Sequence, residues 1–277
     1  MMNRPLRNSR LKLTQGQLFW REVGHGPTII FLHGSWQDSG QWLSVIERLS
    51  DQYHCLAPDL LGFGTSEKPR LHYSIDLEVT SLVEFLETLQ LRQIYLVGHS
   101  VGAWIATRYA LKYPDRVQGL ILLEPEGVQP ESHMSRWSWS RWLMGTPPIL
   151  GWLLQAVYPL AKLMGRQTGI KRSLELRQKM SRSQAACQLL FQRRWPEIKA
   201  EFVQGQLPSL NMPVLVLVGD RDQNTQPIGT LIQRQVSQGT VQVIPYAGID
   251  LPEGVPEAVA QAIQSFVPSP LTSASKQ

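Results

Sequence analysis

Residues 98–102 read Gly98-His99-Ser100-Val101-Gly102 and match the pattern G-x-S-x-G. They follow Gln93–Val97, an apolar run that predicts a buried strand, and they lead into Val101–Tyr113, whose apolar spacing predicts a helix. The two glycines permit a tight turn without a Cβ clash, so Ser100 is predicted to stand clear of the sheet. The amides and dipole of the following helix would stabilise an anion formed beside this serine.

Outward from this turn, short β-branched runs alternate with helical patterns. A hairpin is predicted from Leu11–Leu13 and Leu18–Val23 around Gln15-Gly16-Gln17. Strands buried on both faces are predicted at Thr28–Leu32, His54–Pro58, Gly119–Leu123, Val214–Val218 and Thr240–Ile244, and helices at Gln41–Leu49, Ile75–Leu89, Ile228–Val236 and Pro256–Phe266. This alternation predicts an α/β fold with a mostly parallel sheet flanked by helices, whose reactive groups lie at the carboxyl ends of the strands.

Together with three further motifs, the Ser100 turn resembles the α/β-hydrolase superfamily over nearly the whole chain. His33-Gly34-Ser35-Trp36 resembles the family's H-G-x loop, Asp59–Ser66 its structural D-x-x-G-x-G-x-S segment, and Val218–Asp222 its G-x-x-D motif. The resemblance implies that Ser100 is the nucleophile and that Asp222 orients a histidine. It further implies an oxyanion hole formed by the backbone N–H groups of Ser35 and Val101. The alternative for Asp222 is an ordinary turn residue.

The chain departs from the family at one position. After the last strand the family has an Ala-Gly-His stretch, whereas this sequence reads Ala247-Gly248-Ile249. The nucleophile, acid and histidine follow one another in chain order in this fold, and all six histidines of this chain precede Asp222. Ile249 is therefore predicted to occupy the position of a lost base, which leaves Ser100 a weak nucleophile.

Five other side chains are candidates for a catalytic or auxiliary role near this site. Asp250 is adjacent to Ile249, but a carboxylate of ordinary pKa is a poor base toward a serine hydroxyl. His133 could reach inward, or it could lie at the surface. His33 and His99 belong to the two turns, where packing and turn hydrogen bonds are the expected roles. Glu124 ends the sixth strand and is either a second carboxylate of the site or the partner of an arginine.

The alternation stops between Val128 and Leu207, where the chain becomes helical, basic and rich in tryptophan. We predict a helical cap inserted after the sixth strand, with hydrolase core at 1–127 and 208–267, cap at 128–207 and a disordered tail at 268–277. Residues 128–203 hold twelve Lys and Arg against four acids. Such a surface suits an anionic membrane or a hydrophobic, lipid-like ligand, and the alternative is a cap whose tryptophans pack on the core. Nucleic acid is not expected, because the remainder is acidic and shows no recognition motif.

The chain has two cysteines without metal-ligand spacing, and no signal sequence or spanning segment is predicted. We therefore expect a cytoplasmic protein, with peripheral membrane association as an additional expectation, and no metal or cofactor. Three hypotheses follow. The chain is a serine ester hydrolase for a hydrophobic substrate with a degenerate triad and weak or lost activity, a non-catalytic pseudo-hydrolase that binds a ligand, or a membrane-associated partner-docking protein.

Overall fold

A computed structural model describes residues 5–128, 138–144, 147, 149–163 and 168–268. One eight-stranded sheet runs through these residues in the order β1-β2-β4-β3-β5-β6-β7-β8. Its strands are β1 (Arg7–Leu13), β2 (Gly16–Val23), β3 (Thr28–Leu32), β4 (His54–Pro58), β5 (Ile94–His99), β6 (Val117–Leu123), β7 (Val214–Gly219) and β8 (Gly239–Ile244). The pairs β1·β2 and β2·β4 are antiparallel and the other five are parallel, which confirms the predicted mostly parallel sheet.

The helices lie on the two faces of the sheet. They are α1 (Leu43–Leu49), α2 (Ile75–Thr88), α3 (Val101–Lys112), α4 (Ser138–Met144), α5 (Ile149–Leu163), α6 (Thr168–Met180), α7 (Gln184–Cys187), α8 (Trp195–Ala200), α9 (Gln226–Gln235), α10 (Leu251–Gly254) and α11 (Pro256–Phe266). Helices α1 to α9 connect successive strands, and α10 and α11 follow β8. The helical patterns read from the sequence match α1, α2, α3, α9 and α11 to within a few residues at each end.

The N-terminal hairpin forms as predicted, but its first strand begins four residues earlier than the apolar pattern indicated. Residues 7–10 are all polar, so they lack the apolar alternation that predicts a strand. They extend because β2 offers a continuous ladder, from Arg7 opposite Glu22 to Leu13 opposite Gly16. An ion pair of 3.1 Å between Arg7 and Glu22 closes the far end of the ladder.

The prediction that Thr240–Ile244 is buried on both faces is wrong. Strand β8 lies at the edge of the sheet, and its Gln242 and Val243 are exposed. The five parallel strands β3 to β7, by contrast, have almost entirely buried side chains. Thr240 and Gln242 alternate with the valines of β8, a pattern of a half-exposed strand that differs from the nearly uniform apolar runs of the interior strands.

Each face of the sheet has its own apolar core. One core is built on α2, α3 and α9 and includes the buried Phe85 and Trp104. The other lies under α1 and α11 and includes Trp42 and Ile263. Each fully buried side chain of this size contributes roughly 1.5–3 kcal/mol through removal of apolar surface from water, so both faces hold the sheet in place.

Between β6 and β7 the chain forms helices α4 to α8, which we call the helical insertion. Its later part joins the core of the α2 and α3 face through Leu189, Phe191 and Ile198. The predicted limits of the cap, 128–207, remain a prediction. Residues 129–137 and the predicted tail beyond Pro268 lie outside the described residues.

A carboxylic acid is buried beneath helix α2. Glu78 is 1% exposed, and one of its oxygens, Oε2, accepts a hydrogen bond of 3.1 Å from the backbone N–H of Leu61. Removal of the carboxyl from water raises the pKa of Glu78 to about 8, and the bond from Leu61 opposes that rise. At neutral pH the folded protein therefore holds this side chain as the neutral acid.

This burial predicts a pH-dependent stability. Above about pH 4.5 the unfolded chain releases the Glu78 proton, whereas the folded chain keeps it until about pH 8. The free energy of unfolding should therefore fall across this window. Glu78→Gln should remove that loss, so that its advantage over wild type is larger at pH 8 than at pH 4.5 by on the order of 3 kcal/mol.

Urea unfolding of both proteins at the two pH values measures this difference. The exposed Glu87→Gln on the same helix is the control, and it should change stability by less than about 1 kcal/mol at either pH. An equal effect of Glu78→Gln at both pH values would contradict a carboxyl that is neutral when folded.

Candidate active site

The carboxyl ends of the parallel strands meet at one edge of the sheet, and backbone strain is concentrated there. Four non-glycine residues that follow β3, β5, β6 and β8 have positive φ: Trp36 (60°), Ser100 (52°), Glu124 (48°) and Tyr246 (59°). Such conformations cost about 1–3 kcal/mol each and persist only where the surroundings enforce them. This edge is therefore the candidate active site.

Ser100 occupies a sharp turn between β5 and α3, with φ 52° and ψ −114°. Its N–H donates to the carbonyl of Leu123 at 2.9 Å, and its own carbonyl accepts from the N–H groups of Ala103 and Trp104 at 3.1 and 3.2 Å. These backbone bonds hold the strained conformation. As residue 101 opens α3, its N–H is one of the first four, which lack acceptors within the helix.

The two glycines of this turn are required by close backbone contacts. A Cβ on Gly102 would lie 2.3 Å from the carbonyl oxygen of Leu32 and 2.6 Å from that of His33. A Cβ on Gly98 would lie 2.5 Å from the carbonyl oxygen of Gly102 itself. The start of α3 is thus pressed against the end of β3, as the glycine pattern indicated.

A hydrogen-bond chain joins three of the loops at this edge. Gln41 Oε1 accepts from the N–H of Gly34 at 2.9 Å, so its Nε2 donates to His99 Nδ1 at 3.0 Å. This assigns the ring proton of His99 to Nε2, which donates to the carbonyl of Ile249 at 2.9 Å. Both ring nitrogens of His99 are therefore engaged in positioning the loops.

His33 is engaged in the same way. Its Nε2 accepts from the N–H of Leu60 at 3.0 Å, and its Nδ1 donates to the carbonyl of Gly34 at 2.9 Å. Burial lowers the pKa of His33, and the bond to Gly34 only partly opposes this effect. The neutral ring supports the two turns it joins.

The loop after β3 is also attached to the helical insertion. Trp36 donates from its indole Nε1 to the carbonyl of Met180 at 3.0 Å, and its ring stacks on Phe191 at 6.0 Å between centroids. Ser35 directly precedes this residue. The predicted oxyanion donor therefore adjoins a contact between the core and the insertion.

Asp222 is buried in the loop after β7. Its Oδ1 accepts from the backbone N–H of Asn224 at 3.0 Å, and its Oδ2 accepts from the hydroxyl of Thr225 at 2.8 Å. These bonds order the loop that leads into α9, which is what a turn residue does. The role of Asp222 as the orienting acid stays a prediction.

Glu124 follows β6 and is fully buried. Its Oε1 accepts from the N–H of Gly219 at 3.2 Å. Gly219 in turn lies so close to the last loop that an added Cβ would be 2.5 Å from the carbonyl oxygen of Ala247. The carboxyl of Glu124 thus supports the junction between β7 and the loop that carries Ile249.

Asp250 is exposed and begins helix α10. Ile249 is 49% exposed, and its carbonyl is the group held by His99. His133, the third histidine considered as a possible base, lies outside the described residues. Within the described part of the chain, no group of three or more His, Cys, Asp or Glu side chains is arranged to hold a metal ion.

Two participants were not found by sequence reasoning. Gln41 lies in the connection before α1 and carries no motif, so its bridge between Gly34 and His99 had no sequence signal. Trp36 was quoted within the H-G-x loop, but its contact with Met180 depends on the docking of a helix 144 residues away. Only the tertiary structure brings these groups together.

Comparisons with known proteins agree with this architecture. A family model described as the alpha/beta hydrolase family matches residues 29–262. An uncharacterized protein of Mycobacterium tuberculosis is 32% identical over 150 residues, covering 54% of this chain and 44% of that protein. The Mus musculus 1-acylglycerol-3-phosphate O-acyltransferase ABHD5 is 35% identical over 126 residues, covering 42% of this chain and 36% of that protein. The chain thus spans less than half the length of these curated relatives.

Among solved structures, a membrane phospholipase A described as a bacterial virulence factor superposes with a TM-score of 0.72. The superposition covers 98% of this chain and 87% of that one at 22% sequence identity. At this level of identity the similarity establishes a shared fold.

The tight turn predicts that Gly102→Ala is strongly destabilising. The added methyl would meet two backbone carbonyls that cannot move without shifting β3, so we expect a loss of about 2–4 kcal/mol in the free energy of unfolding. Chemical denaturation measures it. Gly169→Ala, in α6 with no atom within 4 Å of the new Cβ, is the control and should be neutral or slightly stabilising. Equal effects of the two substitutions would contradict the close approach.

Proposed function

The chain belongs to the alpha/beta hydrolase family, and on that basis we propose that it is a serine ester hydrolase for a hydrophobic substrate with a degenerate triad. The conformation of Ser100 carries this proposal. The side chain is presented at the start of α3 by a strained turn that several backbone bonds maintain. Strain held in this way is typical of functional positions.

In the proposed reaction, Ser100 Oγ attacks the carbonyl carbon of an ester. The negative charge that develops on the carbonyl oxygen would be stabilised by the N–H groups of Ser35 and Val101 and by the N-terminal dipole of α3. The ester's alcohol leaves with the proton that Ser100 Oγ loses on attack, and water then releases the acyl group as the acid and returns a proton to Ser100. The proposal includes no metal or cofactor.

The missing component is the base. Ile249 presents a hydrocarbon where the family has histidine, and a hydrocarbon cannot accept the hydroxyl proton of Ser100. His33 and His99 have both ring nitrogens committed to the turns. In serine proteases, oxyanion donors and binding alone leave roughly 10³-fold catalysis over water. We therefore propose activity that is weak or lost.

A non-catalytic pseudo-hydrolase is the second candidate function, and Ile249 is the observation that favours it. Such a protein would keep the Ser100 turn of its ancestors but bind a hydrophobic or lipid-like molecule without cleaving it. The Mus musculus relative is named as an acyltransferase of an acylglycerol phosphate, which supports a lipid-like ligand. Partner docking at a membrane is the third form of this proposal.

We propose further that residues 128–207 form a cap over this site. The contacts of Trp36 with Met180 and Phe191 support this arrangement, because they place the insertion beside the predicted oxyanion donor. The positive charge of the insertion supports peripheral association with an anionic membrane. Cys55 and Cys187 are free and buried, which supports a reducing, cytoplasmic location.

The decisive variant restores the base. The hydrogen bond from His99 that holds this loop goes to the backbone carbonyl of residue 249, so a change of that side chain leaves the bond available. Ile249→His should therefore increase hydrolysis of nitrophenyl esters at least 10²-fold, the lower range of general-base catalysis. Turnover of short- and long-chain nitrophenyl esters measures this gain and the preference for a hydrophobic acyl group.

Matched variants separate the possible origins of the gain. Ile249→Gln has a similar size but no usable base and should stay at the wild-type rate, and Ser100→Ala should abolish the gain of Ile249→His. Asp222→Asn in the same background should remove most of it if Asp222 orients the new histidine. If wild type hydrolyses no ester but Ile249→His does, ligand binding is favoured as the natural function. A folded Ile249→His that gains nothing would refute the proposed site.

A further inference from the structure

Helix α5 exposes a continuous apolar face. Besides Gln155, Pro159 and Lys162, seven apolar side chains of this helix are exposed, and the six larger ones range from 48% exposed at Val157 to 87% at Leu163. They are Ile149, Trp152, Leu153, Ala156, Val157, Leu160 and Leu163. We call these seven residues the α5 face.

The spacing of these residues places them on one side of the helix. They recur at steps of three and four residues, which in an α-helix gives a single stripe. The opposite side of α5 contacts protein: Gly151 and Ala161 are buried, and a Cβ on Gly151 would lie 2.7 Å from Arg177 Nε. The α5 face therefore points away from α6, toward solvent.

A contiguous apolar stripe of this kind indicates a surface that binds another molecule. Isolated exposed apolar side chains are common on soluble proteins, but a contiguous patch marks an interaction surface. Trp142 on the neighbouring helix α4 is 75% exposed and increases the aromatic content of this region. Tryptophan is favoured at the boundary between hydrocarbon and water.

The charge around the α5 face identifies the partner. Residues 138–182 hold eight Lys and Arg against one acid, Glu175. On α6, which packs on α5, Lys171 and Arg172 are both exposed. An anionic lipid surface supplies both an apolar layer for the α5 face and the charge opposite to that of the insertion, whereas a second copy of the chain supplies an apolar face but no opposite charge.

The helix is suited to lie on a bilayer. In the described part of the chain no helix is both long and apolar enough to cross one. An apolar face with Lys and Arg on the opposite side is the pattern of a helix that lies in the plane of the membrane interface, and here α6 supplies most of that basic side.

We infer that the α5 face docks the protein on the surface of an anionic lipid bilayer, with the basic residues of α6, on the other side of α5, adding electrostatic attraction to the headgroups. This inference rests on the peripheral membrane association proposed above and identifies the surface that performs it. Docking through α5 involves neither the Ser100 turn nor the sheet. The candidate site would therefore keep its structure when the protein binds the membrane.

Vesicle flotation of the full chain tests the inference. Wild type should float with vesicles of phosphatidylcholine and phosphatidylserine at low salt, and less with pure phosphatidylcholine or at high salt. Leu153→Glu combined with Leu160→Glu should lower the partition constant at least tenfold. Lys171→Glu combined with Arg172→Glu should also lower it at least tenfold on anionic vesicles.

Matched controls lie on the two edge strands of the sheet, outside the helical insertion. Val243→Glu changes a residue of β8 that is 50% exposed, close to the 56% of Leu153, and Arg10→Glu reverses an exposed charge on β1. Both should float as wild type does. Circular dichroism of every variant confirms that folding is retained, which is expected because all the changed side chains are exposed.

The outcomes separate this inference from the membrane association itself. If wild type stays in the soluble fraction on anionic vesicles, both fail. If wild type floats and the Leu153→Glu, Leu160→Glu variant floats equally well, membrane association survives and the α5 face is overturned. A dimer in sedimentation velocity that Leu160→Glu converts to a monomer, without vesicle binding, would assign the face to a second copy of the chain.

Discussion

The close approach of α3 to the end of β3 is the constraint on which the site depends. Carbonyl oxygens of Leu32 and His33 lie where a side chain of residue 102 would begin, so only glycine fits there. This contact forces the turn at Ser100 and directs the helix axis toward the strand ends. The strain at residue 100 is held by β5, β6 and α3 together, so the turn is a property of the whole sheet rather than of a local motif.

The loops around this turn are joined mainly through backbone groups. The chain from Gly34 through Gln41 and His99 ends on the carbonyl of residue 249, not on its side chain. In the proposed degenerate triad, isoleucine in place of histidine at that position would remove a base without removing the bond that positions the loop. Such a site would keep its geometry after losing an essential component. Intact geometry is accordingly evidence of ancestry and cannot by itself establish present activity.

The sequence predicted the parts of the fold that depend on composition and spacing. Buried strands such as β3 and β4 are recognisable because consecutive apolar residues are needed on both faces, and the glycines of the turn report a steric requirement. Edge position is harder to predict, since the valines of β8 also suit an interior strand and only the alternating Thr240 and Gln242 indicate an exposed face. The bridge made by Gln41 and the burial of Glu78 depend on contacts between distant segments, which a single sequence does not encode in any local pattern.

The helical insertion has two chemically distinct sides, one that contacts the loop after β3 and one that is apolar and exposed. On one side, Met180 at the end of α6 accepts the indole hydrogen bond of Trp36, next to the predicted oxyanion donor. On the other, α5 directs its apolar face to solvent. Because α5 packs on α6, only two helices separate the surface proposed to contact a bilayer from the rim of the candidate site. Such an arrangement suits a protein whose ligand comes from a lipid phase, since one insertion would both contact the membrane and border the site.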